Sequence, residues 1–241
     1  MKLSFSLFCY REKHNNKKIK KEREFNMATK KSSEEMIISI PVINEKQITV
    51  RIIGETPLVV HNWSIKVRRQ MLEAMMQKAK TKKHDIKNPI EDFIESLYWL
   101  DKKPTEYTEE AFAEAIQNGA RFGFPSTGFK AAAVSAGYRA GLTKNKVSTF
   151  GAFHIKGEMI EIHGTPEMRE DMVRVANGAP DIRYRGMFQK WEADLVLTYN
   201  ANIISAEQLV NLVNYGGYAC GIGEKRPEKG GDWGRYRVMT E

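Results

Sequence analysis

Two stretches carry side chains suited to holding a polyanion. "DIRYRGMFQKW" (181–191) sets Arg183, Arg185 and Lys190 among Tyr184, Phe188 and Trp191. "GIGEKRPEKGGDWGRYRV" (221–238) sets Lys225, Arg226, Lys229, Arg235 and Arg237 around five glycines and Trp233. Cations meet phosphates, and flat rings stack on bases at about 1–3 kcal/mol each in single-strand complexes. Trp233, Tyr184 and Trp63 are the rings placed to stack. Glycines let the main chain approach another backbone closely, and exposed N–H groups in such a loop suit an anion-binding concavity. Plain alternatives stand beside both stretches. The first also reads as a strand entry sending two aromatics to the core, the second as a hairpin whose charges merely solvate it.

Other chemistry is poorly supported. His61, His84, His154 and His163 follow the N-terminal region. His154 and His163 fall in successive predicted strands and are expected to approach one another, but no carboxylate pattern completes a metal site. Cys220 stands alone beyond Cys9, which excludes a thiol metal site and a disulfide framework. No nucleophile–base pair and no dinucleotide or phosphate-loop fingerprint is present. The expectation is a protein without catalytic residues, metal or cofactor.

The elements that must position these residues follow from period. "QITVRIIGETPLVV" alternates as a strand interrupted at Gly54 and Pro57. "HNWSIKVRRQMLEAMMQKAKTKK" switches to helical spacing, and "NPIEDFIESLYWL" opens with Asn88 as cap and a proline in the first turn. A short helix is expected over 108–118 and an alanine-rich one between Pro125 and Gly141. Its Lys130 and Arg139 read as solvated charges or as phosphate contacts. "TFGAFHIKG" and "EMIEIHG" read as strands, and the polar stretch 165–190 as a connection in which 181–191 lies on a mobile loop. "WEADLVLTYN" alternates clearly, "SAEQLVNLVNYGGYA" is a helix capped at Ser205, and "RYRV" is a last strand. With the helices of about 63–118 set aside as an insertion, the class is α+β: a ferredoxin-like (RRM-like) βαββαβ core with an antiparallel sheet.

A helix leading into "GIGEKRPEKGGDWGRYRV", together with the early "IIGETPLVVHNW", resembles the RAMP superfamily of CRISPR effector backbone subunits, and related phage or prophage proteins. The resemblance implies binding of single-stranded RNA or DNA, often by side-by-side protomers, and so a homo-oligomer. Against the family's processing endonucleases, no histidine is obviously placed beside a nucleophile or leaving group.

The 241 residues carry a formal charge of +8, of which +5 lies in the first 26. Residues 1–46 read as a disordered basic tail. "KKEREFNM" suggests that 1–26 are translated upstream sequence and Met27 the start. "LSFSLF" is too short for the apolar region of a signal peptide. No apolar run is long enough to span a membrane, so the expected setting is the cytoplasm of a bacterial or phage-infected cell. The reading is one RAMP-like domain over 47–241 that binds single-stranded nucleic acid without catalysis and largely without sequence preference, as an oligomer or filament. Arg183, Arg185, Lys190, Lys225, Arg226, Lys229 and Arg235 would meet phosphate. The alternatives are a protein–protein module gripping an acidic surface, such as a phage assembly or host-inhibition factor, and a metal-independent ribonuclease using His61, His154 or His163.

Overall fold

The computed structural model describes residues 41–76, 87–174 and 180–239. The chain falls into two units, 1–42 and 43–241, and the fold is that of the second. It is an α+β fold with antiparallel sheets. The expectations for residues 1–40 and for His84 lie outside the described residues.

β1 (Glu45–Gly54) takes in Glu45 and Lys46, which the sequence had assigned to the tail. It pairs antiparallel with β8 (Glu192–Asn200) and with β9 (Tyr236–Val238); β4 (Phe153–Ile155) adds to the far side of β8. The order across the sheet is β4-β8-β1-β9. β8 keeps the alternation visible in its sequence. Ala193, Leu195, Leu197 and Tyr199 are buried while the residues between them stay outside, as a strand with one covered face requires.

α4 (Ser126–Arg139) leaves β3 (Phe122–Pro125), and α6 (Ala206–Ala219) connects β8 towards β9. α6 begins with a capping box in which Ser205 accepts from the Gln208 N–H and the Gln208 side chain accepts from the Ser205 N–H. The two helices touch backbone to backbone. A Cβ on Gly216 would stand 2.8 Å from the Ala133 backbone, so the small residues of both helices set their separation. Ala132, Ala133, Leu209, Leu212 and Val213 share one buried cluster with the inner side chains of the sheet.

The region 63–118 contains α1 (Ile65–Met75), α2 (Pro89–Ser96) and α3 (Glu109–Gln117). Asn88 caps α2 and Thr108 caps α3 through their side-chain oxygens. α2 stops at Ser96 rather than running to Leu100, because Leu97 turns to extended backbone and buries its side chain against Gly186. Part of "TFGAFHIKG" is helical as well: α5 (Lys146–Ala152), capped by Asn145, leaves only Phe153–Ile155 for the strand. β5 (Met159–Ile162) pairs with β3.

The largest departure from expectation lies in 165–190. Instead of a loop it forms β6 (Pro166–Arg174) and β7 (Pro180–Phe188), paired along their whole length from Pro166↔Phe188 to Arg174↔Pro180. β2 (Leu58–Val60) joins the base of this ribbon at Phe188, Met187 and Gly186. Strand alternation then sorts the side chains. Arg169, Asp171, Arg183 and Arg185 fall on one face; Met168, Met172, Ile182 and Tyr184 fall on the other.

Candidate nucleic-acid interface

The two sequence stretches do converge, and they meet on a carboxylate. Asp171 is buried on the ribbon. Its Oδ1 accepts from Arg169 Nε at 3.0 Å and from Lys225 Nζ at 2.6 Å, while Oδ2 accepts from Arg185 Nη1 at 3.3 Å. Lys225 belongs to the glycine-rich loop, and Arg185 faces Arg169 directly across the ribbon. Burial pushes the Asp171 carboxyl up, but the hydrogen bond from Lys225 and the charges of Arg169 and Lys225 outweigh it and hold the group below its ordinary value. Three cations share one anion, so the cluster retains positive charge beside Trp233.

Within that cluster the roles differ from residue to residue. Arg185 is 4% exposed and its Nε donates to His61 Nδ1 at 3.0 Å. It ties β7 to the segment after β2 and is not presented to a ligand in solvent. Because a guanidinium only donates, His61 Nδ1 accepts and is unprotonated. Burial first, and then the charge of Arg185, lowers the basicity of the His61 ring, which keeps it neutral. Trp233 is half-buried, with the Arg169 guanidinium 3.8 Å from its ring centre and Lys225 Nζ at 5.3 Å. The ring already carries a cation, a contact worth about 0.5–1 kcal/mol at an exposed site.

The remaining cations are divided between paired and open. Arg226 is held by Glu228 and the Gly223 carbonyl, and Arg235 by Asp232 and Glu55. Arg183 pairs at 3.5 Å with Asp181, whose other partner is Lys87 at 2.6 Å. Lys190 and Lys229 are exposed with no ion pair among the described residues. Lys190, however, lies beyond the ribbon's base, five residues from Arg185, about 16 Å along an extended chain.

Two expectations need correcting. Tyr184 does not join Trp233: alternation puts it on the opposite face from Arg183 and Arg185, opposite Glu170. Trp63 is open to solvent at 56% and lies two residues after His61, the partner of Arg185. The loop's N–H groups are not a free concavity either. Those of Ile222, Glu224, Gly231, Trp233 and Gly234 donate to the carbonyls of Gly234, Val59, Arg226, Lys225 and Pro57. The glycines serve close internal packing, and Cys220 and Ile222 at the loop's start lie in the core. In 181–191 the plainer reading holds for two rings, since Phe188 and Trp191 are both buried.

Arg169 and Asp171 escape a reading of the sequence, because what marks them is the register that sets them opposite Arg185 and Arg183. His154 and His163 do not approach: they pair with Thr198 and Glu192, six residues and about 20 Å apart along β8.

Among the described residues no helix is long and apolar enough to cross a membrane. No protein-family model matches the sequence, and no curated protein matches it. Among solved structures, the crystal structure of Cmr6 from Pyrococcus furiosus is similar at 9% sequence identity and a TM-score of 0.39, over 82% of this chain and 100% of that one.

Proposed function

We propose that the protein binds single-stranded nucleic acid without catalysis and largely without sequence preference, on a ferredoxin-like core of the RAMP type. Read along the chain as β1, α4, β4, β8, α6 and β9, the four-stranded sheet and its helix pair follow the split βαβ plan, which supports that core. The observation that carries binding is the cationic excess around Asp171, where Arg169, Arg185 and Lys225 share one carboxylate. Arg183, opposite Asp171 across the ribbon, and Lys229, exposed on the glycine-rich loop, are taken as further phosphate contacts, and assembly along a strand as an oligomer follows the same reading.

Binding of a labelled oligouridine and an oligothymidine, followed by fluorescence anisotropy across a salt series, tests it. The wild type should weaken steeply with salt through counter-ion release. Arg183→Ala combined with Lys229→Ala should flatten the slope of log K against log salt by about 1.4, at roughly 0.7 per phosphate contact on a single strand. A wild type that ignores both probes refutes the proposal.

A second reading, a protein–protein module, is favoured by α1. Ile65, Leu72 and Met75 are exposed on it, Met75 at 76%, with Met76 exposed just after it and the open Trp63 just before. An apolar helix face this exposed marks an interaction surface. Another copy of the chain is the partner this reading takes, in keeping with the homo-oligomer expected from the sequence. Light scattering of the wild type should then give a mass above the monomer that Met75→Lys reduces; a monomer in both cases removes this reading.

A further inference from the structure

From Phe122 to Gly157 the chain carries Lys130, Arg139, Lys144, Lys146 and Lys156 and not one Asp or Glu. The segment folds as β3, α4, α5 and β4. Two of its rings stay open to solvent, Tyr138 at 48% and Phe150 at 41%.

These groups follow one another in space. Lys146 Nζ is 5.2 Å from the centre of the Tyr138 ring. Phe150 follows four residues later on α5 and so shares the side of Lys146. Lys130 Nζ is 5.7 Å from the Phe150 ring centre and 3.2 Å from His154 Nδ1. The sequence in space is ring, ammonium, ring, ammonium, imidazole, running from the end of α4 across α5 to β4 at the sheet edge.

Neither lysine has an acidic partner among the described residues. Burial lowers the basicity of Lys130, and no carboxylate acts against it. That contrasts with the ribbon, where most cations are already engaged with acids. Among the described residues, only Arg139 of the five cations in the segment is paired, at 3.2 Å with Glu228 of the glycine-rich loop, which joins the row to that loop.

We infer that this row is a second contact for single-stranded nucleic acid, in which Tyr138 and Phe150 stack on bases and Lys130 and Lys146 meet phosphates. It rests on the function proposed above and adds a surface that the ribbon and loop do not use. Alternating rings and uncompensated cations fit a flexible polyanion with flat faces, because each base offers a π-surface and each linkage a charge.

The same anisotropy assay tests it with the full chain. Lys130→Gln with Lys146→Gln should flatten the salt slope by about 1.4. Tyr138→Ala with Phe150→Ala should weaken binding by roughly tenfold per ring and leave the slope alone. Lys130 packs over the buried Phe153 ring, so Lys130→Arg, which keeps the charge, should retain the wild-type slope and separates charge from folding. If both double variants bind as the wild type does while Arg183→Ala with Lys229→Ala is weaker, the row is not a contact and the ribbon reading survives. If the wild type binds neither probe, the proposed function falls and the row with it.

Discussion

Asp171→Asn should lower the free energy of unfolding by about 3–5 kcal/mol, the cost of removing one partner from a buried ion pair. The carboxylate is the common acceptor for Arg169, Arg185 and Lys225. An amide oxygen can still accept a hydrogen bond but carries no charge, so three cations would repel one another with Arg185 unable to reach water. The pH dependence has a definite sign. The Asp171 carboxyl is held below its ordinary value in the folded protein, so the unfolded chain binds the proton more readily. Its contribution is complete above the ordinary carboxylate range near about 4 and is lost as pH falls through the folded value. Urea unfolding of the wild type should therefore show an acid limb below about pH 4 that is reduced in Asp171→Asn. Adding Arg185→Met removes the buried charge left behind and should return part of the stability, with a coupling of about 0.5–3 kcal/mol. A single variant within about 1 kcal/mol of wild type would show that the three cations do not depend on this acceptor.

That hub also marks where the sequence stops being informative. Elements defined by local chemistry are legible: Asn88 with Pro89 starts α2, Ser205 with Gln208 starts α6, and "EADLVLTYN" alternates as β8 does. The ribbon is not, because "PEMREDMVR" places charges on both faces and so lacks the apolar alternation that announces a strand, while "PDIRYRGMF" does alternate, with Arg183 and Arg185 facing away from Ile182 and Tyr184, but follows turn residues that suggest a loop. Cationic clusters are visible in a sequence, whereas their neutralisation is not. Which acid meets which cation depends on the register of β6 against β7, and on Lys225 arriving from 54 residues away to reach Asp171. The same register put Tyr184 behind the arginines it was expected to assist. The row from Tyr138 to His154 had a signal of its own, the absence of any acid from Phe122 to Gly157, and reading Lys130 and Arg139 one at a time hides it.

Gly234→Ala should destabilise the protein by about 2–5 kcal/mol, far more than Gly230→Ala in the same loop. Both glycines have positive φ, +67° and +81°, where a side chain costs roughly 1–2 kcal/mol. They differ in what a methyl group would meet. At Gly230 nothing lies within 4 Å, whereas at Gly234 the Cβ would stand 1.8 Å from the Ile222 carbonyl oxygen. Backbone must move to admit it, and overpacking of a closed site adds about 1–3 kcal/mol. The movement would be transmitted, because Gly234 accepts from the Ile222 N–H at 2.9 Å and donates to the Pro57 carbonyl at 2.8 Å. The first closes the loop on itself and the second holds it to the segment between β1 and β2, beside Trp233 on Arg169. Gly230→Ala therefore measures the conformational cost alone, and the difference between the two variants in urea midpoint measures the packing. If the alanines prove equally mild, the loop is not locked against the chain beneath it, and the position of Lys225 over Asp171 loses its structural basis.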